Sequence, residues 1–159
     1  MIRGKLTGTW LAVAAAAFCQ TPLALRNVVK VAPVSTVIAR AGKPVEVALP
    51  VQVDPGFHVN SDKPADEYLI PLRLTWNPGP LEKPVIAFPK PQTAKLPFSA
   101  KPVSIFTGSF DIVTRFKVAR DASPGPGTLA GKLHYQACDD RECLTPKTID
   151  VMVPVEIVR

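Results

Sequence analysis

The fold is organised around the stretch Tyr135-Gln136-Ala137-Cys138-Asp139-Asp140-Arg141-Glu142-Cys143-Leu144-Thr145-Pro146, which contains two cysteines separated by four residues. Apolar and polar residues alternate on both sides of these cysteines, over residues 129–138 and 148–157. A period of two is typical of a half-buried β-strand. The sequence therefore predicts a hairpin with both cysteines at its tip. In this register Cys138 falls on the polar face of its strand, where a partner can reach the thiol.

The remainder of the chain carries further strand signals separated by turn residues such as Asp54-Pro55-Gly56. The runs rich in β-branched or alternating residues are 28–39 (broken by Pro33), 45–53, 57–60, 69–76, 85–88 and 110–118. No amphipathic helical stretch stands out. Seven to nine short strands predict an all-β, immunoglobulin-like antiparallel β-sandwich with Trp76 in its core. The long-range Cys-Trp-Cys signature of antibody domains is absent, so the predicted likeness to immunoglobulin domains is limited to the architecture.

A proline-rich span interrupts the strand pattern between Pro78 and Pro102, where seven prolines occur. Only 85–88 looks strand-like inside it, so the sequence predicts mostly irregular surface backbone there. Long ordered loops of this kind often carry function.

The N-terminus predicts export. Residues 1–5 carry two positive charges and are followed by a short apolar core at 10–18, the pattern of a signal peptide over 1–24. Cleavage near 19–24 would leave a single domain, 25–159, in the periplasm or otherwise secreted. The apolar run is too short for a confident membrane span, so we expect the mature chain not to cross a membrane. Phe18 directly before Cys19 fits a lipid-attachment signal poorly.

Export leaves Cys138 and Cys143 in an oxidising compartment, where a disulfide between them is the expected state. A loop this short contributes roughly 2 kcal/mol in the chain-entropy model, against about 4.7 for a loop of 100 residues. Redox chemistry is therefore favoured over a structural role. A secreted, non-enzymatic binding domain with a structural disulfide is the alternative. A metal site with His134 and His58 matches no zinc spacing, so we expect no metal and no other cofactor.

The charge pattern argues against nucleic-acid binding. The formal net charge of +6 falls to about +4 once the signal peptide leaves, and the remaining Lys and Arg are scattered rather than interleaved with aromatic residues. Neither a Ser-His-Asp arrangement nor a glycine-rich phosphate loop is present. We expect protein partners and no small-molecule substrate.

Three motifs resemble a known family. They are Gly56-Phe57-His58-Val59-Asn60-Ser61-Asp62-Lys63-Pro64, Tyr68-Leu69-Ile70-Pro71, and Tyr135-Gln136-Ala137-Cys138 with Cys143-Leu144-Thr145-Pro146. Together they make nearly the whole mature chain similar to the periplasmic N-terminal domain of the thiol:disulfide interchange protein DsbD. The resemblance implies an immunoglobulin-like sandwich that passes reducing equivalents from a membrane-embedded or thioredoxin-fold donor to extracytoplasmic clients. The membrane segment and thioredoxin-like domain that accompany this module are missing, so we expect a donor on another polypeptide.

The resemblance also implies roles for single residues. Cys138 and Cys143 match the redox-active cysteines, and Phe98 matches a cap-loop phenylalanine that covers the disulfide. Before this phenylalanine the family has acidic residues, which are replaced here by Lys95, Leu96 and Pro97. His58, Tyr68, Tyr135 and Gln136 are candidates for the lining of the site.

The residues around the cysteines predict a slow, partner-dependent thiol. Asp139, Asp140 and Glu142 disfavour a thiolate, and only Arg141 favours one. We expect Cys138 to attack first, because it leaves its strand on the polar face, and Cys143 to resolve the mixed disulfide.

Overall fold

The computed structural model describes residues 27–96, 99 and 101–159. The predicted signal peptide and the cap-loop candidate Phe98 lie outside the described residues. Every regular element within the described residues is a β-strand. The twelve strands are β1 (Val29–Val31), β2 (Val37–Arg40), β3 (Pro44–Val53), β4 (His58–Asn60), β5 (Arg73–Trp76), β6 (Glu82–Ala87), β7 (Gln92–Ala94), β8 (Val103–Phe106), β9 (Ser109–Lys117), β10 (Gly125–Tyr135), β11 (Ala137–Cys138) and β12 (Lys147–Val158).

The strands form three four-stranded sheets, with orders β1-β3-β9-β6, β2-β12-β10-β5 and β11-β4-β8-β7. The predicted all-β sandwich is confirmed, with one departure, because β2 runs parallel to β12. The departure arises at Pro33. β1 pairs with β3 in the first sheet, and after the proline the chain crosses to the edge of the second sheet. A proline lacks an N–H and so ends a ladder at such a crossing.

The predicted hairpin is confirmed as β10 and β12, which pair from Gly125↔Ile157 to Tyr135↔Lys147. The apolar positions of both strands face the first sheet and bury their side chains there. Each such burial contributes about 1.5–3 kcal/mol, so the alternation fixes which face of the hairpin points inward. The side chains at the centre of this core are Val47, Leu49, Ile112, Phe116, Leu129, Leu133, Val151 and Val153.

Trp76 links the two main sheets, although it is half-buried rather than fully buried. Its ring meets Phe116 edge-on at 5.5 Å, and its indole Nε1 donates a hydrogen bond of 3.1 Å to Thr114 Oγ1 on β9. Gly131 lies opposite Trp76 on β10. A Cβ at this glycine would lie 2.8 Å from the indole ring, so only glycine allows the approach.

Cys138 lies on β11, the edge strand of the third sheet, and Cys143 forms an isolated bridge with it. β8 turns into β9 through Gly108, whose φ of +62° favours glycine. At the same turn Val53 N donates to Gly108 O at 2.8 Å, which ties the end of β3 to this sheet. β10 leaves the second sheet after Tyr135 and continues as β11 beside β4. The proline-rich span supplies β6 and β7, two strands where one was predicted.

No helix within the described part of the chain is long and apolar enough to cross a membrane.

Candidate functional site

Cys138 and Cys143 form a disulfide across the tip of the hairpin, with their Cα atoms 3.9 Å apart. Backbone hydrogen bonds flank the pair: Asp139 N donates to Glu142 O at 3.0 Å, and Leu144 N donates to Ala137 O at 2.8 Å. This pattern defines a non-hydrogen-bonded cross-strand pair, in which side chains lie closest together. The backbone therefore holds the two sulfurs side by side independently of the covalent bond between them.

The two cysteines differ in access to solvent. Cys138 is 0% exposed, whereas Cys143 is exposed. The prediction that Cys138 lies on a reachable polar face is wrong. The strand alternation stops at Gln136, and Ala137 and Cys138 are both buried because they enter β11 and pair with β4. This removes the basis for expecting Cys138 to attack first, and Cys143 is the cysteine that is exposed to solvent.

Cys143 lies on a cleft of about 540 Å³. Two predicted lining residues are there: Tyr68, which is 85% exposed, and Gln136, whose Nε2 donates to Leu144 O at 3.1 Å. The cleft is completed by Asp66, Leu69, Ser99 and Lys101. Sequence reasoning missed these four because they belong to loops remote from the cysteines along the chain. The run of prolines before residue 102 was the available signal for the loop that carries Ser99 and Lys101.

His58 lies opposite Cys138 in the β4–β11 register and is 6% exposed. Burial lowers the pKa of its imidazole below the usual 6.5, and the nearby carboxylate of Asp139 opposes the change only in part. His58 is therefore mostly neutral at pH 7. Tyr135, at the end of β10, is also buried, and desolvation raises the pKa of its phenol above 10. Of these two predicted lining residues, His58 lies beside Cys138 in the sheet, whereas Tyr135 belongs to the hydrophobic core, and neither lines the cleft at Cys143.

The loop between the cysteines is held by Asp139. Its Oδ1 accepts hydrogen bonds of 2.8 Å from the backbone N–H groups of Glu142 and Arg141, and these two bonds lower the pKa of the carboxyl below 3.8. This is an Asx turn. Arg141 Nε lies 3.9 Å from Asp140 Oδ1, an exposed pair that contributes little stability. Asp140 and Glu142 are exposed in the loop between the cysteines.

Within the described residues, no group of three or more His, Cys, Asp or Glu side chains is placed to hold a metal ion.

Comparisons with known proteins identify the family. The model of the thiol:disulfide interchange protein DsbD N-terminal family matches residues 26–154. The crystal structure of the N-terminal periplasmic domain of ScsB from Proteus mirabilis superposes with a TM-score of 0.52 at 17% identity, covering 75% of this chain and 43% of that one. The chain thus spans less than half of that relative.

A second solved structure is the reduced form of the Neisseria meningitidis DsbD N-terminal domain. It has a TM-score of 0.39 at 18% identity and covers 72% of this chain and 79% of that one. No curated protein matches the chain.

Proposed function

The chain belongs to the family of DsbD N-terminal domains, and on that premise we propose that it is an exported thiol–disulfide exchange module. It passes reducing equivalents from a thioredoxin-fold or membrane-embedded donor to extracytoplasmic client proteins. Cys138 and Cys143 carry them by cycling between a dithiol and a disulfide.

The observation that carries this proposal is the asymmetry of the disulfide, with Cys143 exposed on an open cleft and Cys138 buried. A donor thiolate attacks Cys143 Sγ, and Cys138 leaves as a thiolate. The second donor thiol then displaces Cys143, which leaves an oxidised donor and a reduced module. In the next half-cycle the Cys143 thiolate attacks a client disulfide, and Cys138 attacks Cys143 Sγ to release the reduced client. Each half-cycle moves two electrons.

The backbone around Cys143 supports a protein partner. Because Cys138 and Cys143 form a non-hydrogen-bonded pair, the N–H and C=O of Cys143 point away from β11. Residues 142–144 thus form the outer edge of the third sheet, and an edge of this kind accepts an extended segment of another chain. Such pairing would bring a partner cysteine to the exposed sulfur.

We also propose that Phe98 caps the site. Its chain neighbours Ser99 and Lys101 line the cleft at Cys143, which supports a cover at this position. A cap would shield the reduced pair from chance oxidation until a partner displaces it. We expect Phe98→Ala to speed the oxidation of the reduced pair by small disulfides. An oxidation rate equal to that of the unchanged chain would contradict the cap role.

Export remains part of the proposal, with residues 1–24 as the signal peptide. The N-terminal sequence of the secreted product should begin within or just after residues 19–24. A product that retains Met1 would contradict this assignment.

The reduction potential of the Cys138–Cys143 pair is the decisive test of function. The chain is equilibrated against glutathione and thioredoxin buffers, and free thiols are counted by alkylation. We expect a value between about −270 mV, that of thioredoxin, and about −180 mV, that of protein disulfide isomerase. A value well below about −300 mV would mark an inert structural bridge and leave a secreted binding domain as the function.

A further inference from the structure

His58 and Cys138 occupy opposite positions in the pairing of β4 with β11. Residues directly opposite in an antiparallel pair share a face, with Cβ atoms about 4.5–5.5 Å apart. Both side chains are buried, at 6% and 0% exposure. The fold therefore encloses an imidazole and the inner sulfur of the disulfide in one desolvated space.

Cys138 needs a proton acceptor at one step of the proposed exchange. When Cys143 is joined to a client, Cys138 must lose its proton before it can attack, and bulk water does not reach its sulfur. The surrounding acidic loop disfavours the thiolate further. A buried thiol in this position reacts slowly unless a neighbouring base removes the proton.

We propose that His58 is the proton acceptor for Cys138 in the resolving step, an inference that rests on the proposed function. The neutral imidazole takes the proton from the Cys138 thiol. The resulting thiolate attacks Cys143 Sγ, the disulfide of the module forms, and the client sulfur leaves with the electron pair of the broken bond. In the reverse step the protonated imidazole returns the proton to Cys138 as that sulfur leaves.

The charges around His58 suit this role. Asp139, which follows Cys138, is a charged side chain that raises the pKa of His58 and so stabilises the imidazolium formed during the transfer. β11 contributes Ala137 and Cys138 itself, and β8, on the other side of β4, has no titratable side chain. Tyr135, at the end of β10, is buried in the core, and desolvation raises the pKa of its phenol, so that it stays neutral. Burial keeps the pKa of His58 low, so the base form dominates at pH 7.

The test follows the resolving step directly. The reduced chain is mixed with oxidised glutathione, samples are quenched in acid from pH 5.5 to 9, and mass spectrometry records the decay of the glutathionylated intermediate. The variants are His58→Gln and His58→Phe. His134→Gln is the matched control, because His134 is the other histidine of the chain and bonds Thr148 on the second sheet at 3.0 Å.

We expect both His58 variants to slow the decay at pH 7 by at least about 30-fold, since even a thiol of ordinary pKa near 8.5 is only about 3% ionised there, and burial disfavours the Cys138 thiolate further. Their rates should rise about tenfold per pH unit, whereas the unchanged chain and His134→Gln should show a flatter profile. Formation of the mixed disulfide at Cys143 should keep its rate. If His58 had only a structural role, its replacement would not slow the decay of the mixed disulfide while leaving its formation unchanged.

Equal decay rates and equal pH profiles in the His58 variants and the unchanged chain would overturn the proposal while leaving the proposed function intact. If both variants fail to fold, the profile of the unchanged chain decides. A plateau well below pH 8.5 supports the proton acceptor, and a tenfold rise per unit up to that pH overturns it. An unchanged chain that exchanges with neither glutathione nor a thioredoxin-fold protein overturns both proposals.

Discussion

Breaking the disulfide should cost the fold little. The bond links residues only five positions apart, so loop closure contributes about 2 kcal/mol to the free energy of unfolding. The flanking backbone hydrogen bonds of 3.0 and 2.8 Å keep the hairpin tip closed after the bond opens. Cys143→Ala removes the bond without removing buried surface, because Cys143 is exposed. We therefore expect Cys143→Ala to lower the free energy of unfolding by about 2 kcal/mol.

Cys138→Ala is the matched variant, since it breaks the same bond but also empties a fully buried site. The lost sulfur should add about 1 kcal/mol to the destabilisation. Urea unfolding of the oxidised chain and both variants, followed by circular dichroism, measures these differences from the midpoints at constant m-value. A loss of 4 kcal/mol or more in Cys143→Ala, or equal losses in both variants, would refute the reasoning.

The stabilisation of about 2 kcal/mol by the disulfide also affects its reduction potential. By a thermodynamic cycle, a disulfide that stabilises the fold by about 2 kcal/mol is harder to reduce in the folded chain than in the unfolded chain by about 45 mV, since 30 mV corresponds to about 1.4 kcal/mol. So small a shift leaves the bond open to reduction by protein partners. A disulfide with a structural role would stabilise the fold by a larger free energy.

Three further outcomes are expected. Cys138→Ala should form a mixed disulfide with a thioredoxin-fold protein on non-reducing gels and Cys143→Ala should not, because Cys143 is exposed and Cys138 is fully buried. Trapping by Cys143→Ala alone would contradict this. The pKa of Asp139 is lowered from 3.8, so the stability of its turn is present above that value and is lost as pH falls through the folded pKa. The neighbouring loop amides should then titrate together by NMR with an inflection below pH 3.8, and a higher inflection counts against the turn. Gly131→Ala should destabilise the chain by about 1–3 kcal/mol in urea unfolding, because its Cβ would lie 2.7 Å from the carbonyl oxygen of Thr75, and an unchanged midpoint would exclude that clash.

Local periodicity predicted the hairpin well because a single physical constraint, burial of one face, acts on every residue of β10 and β12. The same pattern failed at Cys138, where the strand passes from one sheet to another and both neighbouring side chains become buried. Nothing in the sequence of β10 signals that change, since it depends on β4, some 80 positions earlier in the chain. The parallel pairing of β2 depends on a remote partner in the same way.

The cleft was predicted in part for a related reason. Gln136 lies beside the cysteines in sequence, and Tyr68 belonged to a motif carried by the family resemblance, so both were available as candidates. Asp66 and Lys101 approach Cys143 only through the folding of two distant loops. A sequence pattern identifies residues that share an element, whereas contacts between loops depend on the tertiary fold.

The architecture also accounts for why this site should depend on its partner. Reactive cysteines commonly gain their low pKa from a helix N-terminus or a nearby cation. Here every regular element within the described residues is a strand, and the one cation in the loop between the cysteines, Arg141, is exposed and faces Asp140. The described residues therefore offer Cys143 no helix N-terminus, and the cation that shares its cleft is Lys101. A thioredoxin-fold partner that brings its own activated thiolate to the open edge at residues 142–144 supplies what the sandwich does not. Slow reaction with glutathione together with fast reaction with such a protein is the behaviour that this geometry favours.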